Sequence, residues 1–474
     1  MQFWIVLLGC GKGGGLSADE ITFVEADIAG SGWLKYDAER TGDAFVRFGT
    51  ASGALDSTTP TVDAAAGSVE LRGLVNGRKH YAELVFVDGG DEQVSEVVEF
   101  TVSPPPDDVP ILTQNEWDAG GSCLDGGYVL FNYIGATKSG VVIVDRLGQY
   151  VWGMASESPA QVGRARPGRN GQDILWNVAH QEKTTDIAAI IRQPFLGGEQ
   201  TVTRTTWGHH DFVELPDGEM AWSGYDIRTD QLFPNGVDTG CIAAEVLYRG
   251  PEGMTEADTP TPIWNTWDDY TPGIYTFTAE SDTFLKNYDC GDGTSPYEFQ
   301  HANSLGYVES EGAYYQYWRW LDTLVKISAA GELLTEWGGP TNELTSADPS
   351  HEHAHFSDVW AGNILLYNNG HRIEQSGGGT VGSSVRHYTF DDTSYALETE
   401  FDNASYDDVL GDVRRIPVDG CENLLVSYSK QGRIVELTPE GEIVWEIGAG
   451  IGQITGRVYF LPDLYDFSGV AYPE

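Results

Sequence analysis

Basic side chains are scarce in this chain of 474 residues. Lys and Arg number 27 against 72 Asp and Glu, for a formal net charge of −45. So acidic a surface repels nucleic acid and anionic lipid, and neither is expected as a partner. The acidic residues are spread along the chain rather than collected in a tail, which argues for a folded protein over a disordered one. Long Leu/Ala/Glu/Lys stretches of helical period are lacking as well. Cysteine occurs only five times, at 10, 123, 241, 290 and 421, and none of the spacings suits a zinc site. What the chain has in quantity is glycine, at 58, and aromatic residues, at 12%, with 14 Trp and 23 Tyr. That mixture predicts an all-β protein rich in turns.

The length suffices for a large core or for two domains. Met1–Cys10 is an apolar run ending in Leu7-Leu-Gly-Cys10, too short to span a bilayer. It resembles the lipobox of bacterial lipoproteins, though without their basic start. The resemblance implies export to the periplasm or cell surface and lipid attachment at Cys10. The glycine-rich stretch that follows suits a tether, so residues 1–18 read as signal and tether. From 19 to 104 short runs alternate apolar and polar, as in Ala44-Phe-Val-Arg-Phe-Gly49. Leu71, Leu74, Gly77 and Tyr81 have the spacing of a tyrosine corner, so this segment resembles a fibronectin type III-like sandwich. His80 within it reads as a packing or surface residue. Ser103-Pro-Pro-Pro-Asp-Asp-Val-Pro110 is a stiff linker.

Between 110 and 474 one pattern recurs: a glycine turn, an apolar strand, then a second hairpin. In Val141–Trp152, Leu324–Trp337 and Ile434–Trp445 a strand, a turn with Gly, a second strand and a Trp follow at nearly fixed offsets. Six copies with four strands each predict a six-bladed β-propeller, its third blade interrupted by an insertion over about 227–299. With Cys10 lipidated, four cysteines remain for two bridges. Cys123 and Cys421 open corresponding hairpins in the first and last blades, which a ring makes neighbours, so that pair is expected to close it. Cys241–Cys290 is expected to staple the insertion.

Five histidines stand out. His210 lies eight residues ahead of Gly218, His301 eleven ahead of Gly312, and His355 seven ahead of Gly362, comparable places in three consecutive repeats. His351, His353 and His355 alternate, and on a strand they would share one face. Arg319, in Tyr317-Trp-Arg-Trp320, falls on the next strand of the His301 repeat.

His210-Asp211 with Leu215-Pro-Asp-Gly218, His301-Ala-Asn-Ser304, Arg319, the histidine-rich run leading to Leu365-Leu-Tyr-Asn-Asn-Gly370, Glu374-Gln375 and Ser384-Val-Arg-His-Tyr388 together resemble the aryl-sulfate sulfotransferase family. That family consists of periplasmic six-bladed propellers preceded by a small β-sandwich. They move a sulfuryl group from an aryl sulfate to a phenol through a sulfated histidine, without a nucleotide donor. The resemblance implies His355 as nucleophile, with His353 second, and His210, His301 and Arg319 as further catalytic residues. Asn303, Tyr317, Trp318 and His209 are the expected substrate contacts, and no cofactor or metal is implied. This chain departs from the family in Asn368 and in offering several histidines where the motif usually has one. Two other readings fit the residues: a metal site on the alternating histidines, or a tethered propeller that binds a protein or glycan without catalysis.

Overall fold

The computed structural model describes residues 20–37, 39–107, 109–135, 138–156, 162–179, 188–232, 239–271, 285, 288, 290–291, 295–339, 351–370, 382–391, 393–402, 407, 409–449 and 454–470. Cys10 with the signal and tether, and the Glu374-Gln375 pair, lie outside them.

Nearly everything described is β-structure. In the first unit a sheet of Thr22–Glu25, Ser31–Lys35 and Ser68–Arg72 faces a larger one built on Asp43–Gly49 and Lys79–Asp88. The alternation of Ala44, Val46 and Phe48 puts those three side chains inside, where they join Leu34, Leu71, Leu84 and Phe86 in one core. That core ends at Val102, so the linker begins where apolar burial stops. His80 is buried and packs on Phe100, as expected of a packing residue. Tyr81 is half-buried and lies opposite Glu99 across the strand pair.

Beyond residue 110 the described residues form six antiparallel sheets of four or five strands along their main paths. Each begins with a strand at one edge: Val162–Pro167, Phe212–Glu214, Ala302–Val308, Ser357–Trp360, Asp412–Arg415 and, for the remaining sheet, Ile454–Leu461. These edge strands neighbour one another in turn, and the chain is a β-propeller. Successive sheets pack face on face, so both faces of most strands are buried. Ala313–Trp318 has every residue buried, Tyr314 and Trp318 in the core toward the preceding sheet and Tyr315 and Tyr317 in the core toward the following one. The apparent insertion over 227–299 is smaller than the sequence suggested. Met220–Leu232, Thr239–Gly250 and Thr261–Asn265 are ordinary strands of the third sheet, the first two lengthened by hairpin extension.

The two ends of the propeller exchange strands. Ile454–Leu461 pairs with Tyr128–Ile134 of the first sheet, and Leu112–Trp117 pairs with Ile443–Ala449 of the last. Each terminal strand thereby completes a sheet built from the other end of the chain, which ties the two ends together. Both disulfides form as expected, Cys123–Cys421 across this closure and Cys241–Cys290 from Thr239–Gly250 to the segment that follows it. The first closes a loop of 298 residues and the second one of 49. Replacing Cys123 and Cys421 by Ser should therefore cost about 2–5 kcal/mol in urea unfolding, roughly 1–2 kcal/mol more than the other pair. An equal or smaller loss would show that strand exchange alone holds the ring.

Candidate functional site

Three of the edge strands start just after a histidine. His210 is two residues ahead of Phe212–Glu214, His301 one ahead of Ala302–Val308, and His355 two ahead of Ser357–Trp360. Because these strands are neighbours, the three rings meet at one end of the ring axis. The His210 ring lies 4.5 Å from that of His301 and 5.8 Å from that of His355, centroid to centroid. His210 and His301 have φ of +41° and +59°, a region that costs a residue with a Cβ about 1–3 kcal/mol. Such strain persists only where packing and hydrogen bonds over-determine it.

The alternating histidines do not behave as a strand. His351–Phe356 precede the strand, and His353 takes φ +48°, so the run turns and its side chains part. His351 is buried with Nδ1 2.9 Å from the Tyr317 hydroxyl. His353 is half-buried at the edge of the cluster, 5.7 Å from the Trp320 ring. Only His355 joins His210 and His301. Two asparagines anchor the loop's surroundings: Asn368 Oδ1 accepts the Glu352 N–H at 2.6 Å, and Asn369 Nδ2 donates to the carbonyls of Asp407 and Leu410. Asn368 thus has a structural task here.

Beneath the three rings lies a polar layer. His209 Nδ1 is 2.9 Å from His210 Nδ1, its ring stacks on Tyr225, and its Nε2 is 3.2 Å from Glu245. His209 is buried, like the three clustered histidines, and stands behind His210. Glu298 Oε2 holds His301 Nδ1 at 2.6 Å and the Trp320 indole N–H at 3.2 Å, while Oε1 accepts the Tyr225 hydroxyl. Asn303 donates to the Ala354 carbonyl at 3.0 Å, tying its edge strand to the histidine loop, and its buried Oδ1 has no partner among the described residues. The Arg319 N–H bonds the His301 carbonyl at 3.0 Å, and its guanidinium lies 5.2 Å from the Trp320 ring. Arg457, fully buried on Ile454–Leu461, donates to the Asn303 carbonyl at 2.8 Å and lies over the Phe356 ring.

These surroundings set the charges. Burial, then the cations Arg319 and Arg457, push His355 well below the usual imidazole range. Its Nδ1 is buried with no partner among the described residues. His210 is held low by burial and by His301, His209, His355 and Arg457. Both are neutral at pH 7. Glu298 is pushed up to about 7, chiefly by burial. For Asp211 burial acts upward, but Arg164, Arg457 and Arg166 outweigh it and leave the carboxyl at about 2.

Of the expected residues, His210, His301, His355, Arg319 and Asn303 are brought together, with His353 at the edge and His209 behind. Tyr317 and Trp318 are not at the site. Both are fully buried between sheets, Trp318 stacked on Trp264 at 5.5 Å, because strands covered on both faces send every side chain into a core. Trp320, past the strand end, supplies the aromatic wall instead, 5.1 Å from His301. Glu298 and Arg457 went unnoticed in the sequence. Glu298 precedes His301 by three residues, a spacing that offered a faint signal, whereas Arg457 lies far along the chain with no motif. Among the described residues the one trio of metal-capable donors within 4.8 Å is Cys123, Cys421 and Glu436, and its sulfurs are bonded to each other.

No family model matches the chain, and no curated protein matches it. Solved structures similar to it include a Bacteroides caccae protein of unknown function, at 11% identity and TM-score 0.41, covering 70% of this chain and 97% of that one. Others are a putative 6-phosphogluconolactonase from Bacteroides uniformis (10%, 0.38, 70% and 99%) and a periplasmic gluconolactonase from Pseudomonas aeruginosa (12%, 0.35, 80% and 94%). Likeness at this distance carries no argument about activity.

Asp211→Asn removes the counter-charge of three buried guanidiniums and should cost about 3–5 kcal/mol in urea unfolding. With the folded carboxyl at about 2 and an unfolded value of about 3.9, the wild-type stabilisation is present above roughly pH 4 and is lost as pH falls toward 2. A cost below about 1 kcal/mol would mean that the arginines find compensation elsewhere.

Proposed function

We propose that the chain is an aryl-sulfate sulfotransferase that passes a sulfuryl group from an aryl sulfate to a phenol through a sulfated His355. The observation that carries the reading is the meeting of three imidazoles from consecutive sheets around a neutral His355 whose buried Nδ1 has no partner among the described residues. A sulfate monoester is shielded by its anionic oxygens, so a neutral nucleophile in a cationic setting approaches it best. In the first half-reaction a His355 nitrogen forms the N–S bond as the S–O bond to the aryl group breaks. The departing phenolate takes a proton from His301, the imidazole paired with Glu298. In the second half a phenol gives its proton back to the same group, its oxygen forms an S–O bond, and the N–S bond breaks. Arg319 offsets the sulfuryl charge, Trp320 borders the aromatic ring, and Glu298 fixes the His301 tautomer through Nδ1. The same reading takes the six sheets as blades of a six-bladed ring and residues 19–104 as a fibronectin type III-like sandwich. It places the protein outside the cytoplasm, lipid-anchored at Cys10.

With p-nitrophenyl sulfate as donor and a phenol as acceptor, nitrophenol release should depend on the acceptor. His355→Asn should lower it at least about a thousandfold, and His353→Asn by less than about tenfold. Comparable losses would move the nucleophile, and no turnover with any phenol would sink the transferase. An intact-mass gain of one SO3 group on donor alone, absent in His355→Asn, reads the intermediate directly.

The pH profile is a separate check. Glu298 must be ionised to accept from His301, so kcat/KM should rise through about pH 7, and the slower Glu298→Gln enzyme should lack that limb. His355 adds no limb until well below its ordinary value, since it is neutral throughout that range. A limb at the ordinary imidazole value that survives in Glu298→Gln would contradict this assignment.

A further inference from the structure

At the opposite end of the same edge strands, a cavity of about 700 Å3 opens between the last two sheets. His355 precedes Ser357–Trp360, whereas Trp360 ends it and lines this cavity with Arg414 and Arg415, which end the neighbouring strand. Leu365, Phe401 and Ile416 make its apolar walls. Arg414 is 7% exposed. Its Nη1 lies 3.0 Å from Asp358 and its Nε 3.3 Å from Asp412, and its buried Nη2 has no partner among the described residues. Arg415 shares Asp358 through Nε at 3.5 Å, lies 3.7 Å from the centre of the Trp360 ring, and likewise keeps a buried Nη2 without a partner.

Two guanidiniums with buried donors left over form a costly arrangement in a protein whose net charge is −45. Acceptor oxygens on a ligand would satisfy those donors, and an apolar body would cover the walls. Exposed Asp419 and Glu422 at the rim repel a polyanion and disfavour free phosphate. We propose that this cavity is a second ligand site, which takes a monoanionic carboxylate or sulfonate with a flat apolar body against Leu365, Phe401 and Ile416.

The test is calorimetric titration of the full chain with naphthoate, a flat carboxylate that does not mimic the aryl sulfate of the histidine site. A single saturable event is expected. Arg415→Gln should weaken it by about tenfold or more, through loss of a charge-assisted bond. Val418→Trp, which fills the cavity from its half-buried edge, should abolish it. His355→Asn should leave it unchanged, with circular dichroism confirming that each variant is folded. Absence of binding to the wild type overturns the proposal, as does binding that survives both cavity variants. Loss in His355→Asn would instead assign the anion to the histidine site and overturn it equally.

Discussion

One buried carboxylate organises the axis of this propeller. Asp211 pairs with Arg164 on Val162–Pro167, with Arg457 on Ile454–Leu461 at 3.0 Å, and more loosely with Arg166 at 3.8 Å. Its Oδ2 also accepts the Leu305 backbone N–H at 2.6 Å. Groups from the edge strands of the first, second and fourth sheets thus converge on a residue that introduces the third. Away from water such contacts are strong when complete and ruinous when broken, so the network sets how the sheets meet.

The histidine cluster inherits that geometry. His210 is the residue before Asp211, and Arg457 also donates to Asn303, two residues past His301. Arg457, one of the cations that secure the axis, also helps burial to hold both histidines low, beside the neighbouring imidazoles at His210 and Arg319 at His355. Structural and chemical demands therefore fall on the same few side chains. The strained backbone at His210 and His301 fits this picture, since a rigid polar layer can hold an imidazole in a conformation that a free loop would abandon. Outside this layer the molecule is conventional apolar packing between sheets.

Several features were legible in the residues because they depend on local order. Turn glycines ahead of apolar strands announced the repeat, and the repeat placed His210, His301 and His355 at comparable positions. It also paired Cys123 with Cys421, since a ring makes its ends adjacent. Periodicity misled where its premise failed. The alternation of His351, His353 and His355 means a shared face only on a strand, and these residues form a turning loop. Tyr317 and Trp318 looked like cavity walls, but strands covered on both sides leave no face for a ligand. The third sheet looked interrupted because its hairpin is long, not because its strands are missing.

By itself the sequence determined the all-β class, the repeated hairpins, the cysteine pairs and three histidines in register, since each follows from spacing along the chain. The tertiary structure alone decided which histidine of the trio faces the others, and that Glu298 and Arg457 stand behind them. It also decided that Arg414 and Arg415 meet an apolar cavity at the far end. Those facts join residues far apart in the chain, and side-chain direction at a turn and proximity across a closed ring have no signature in local order.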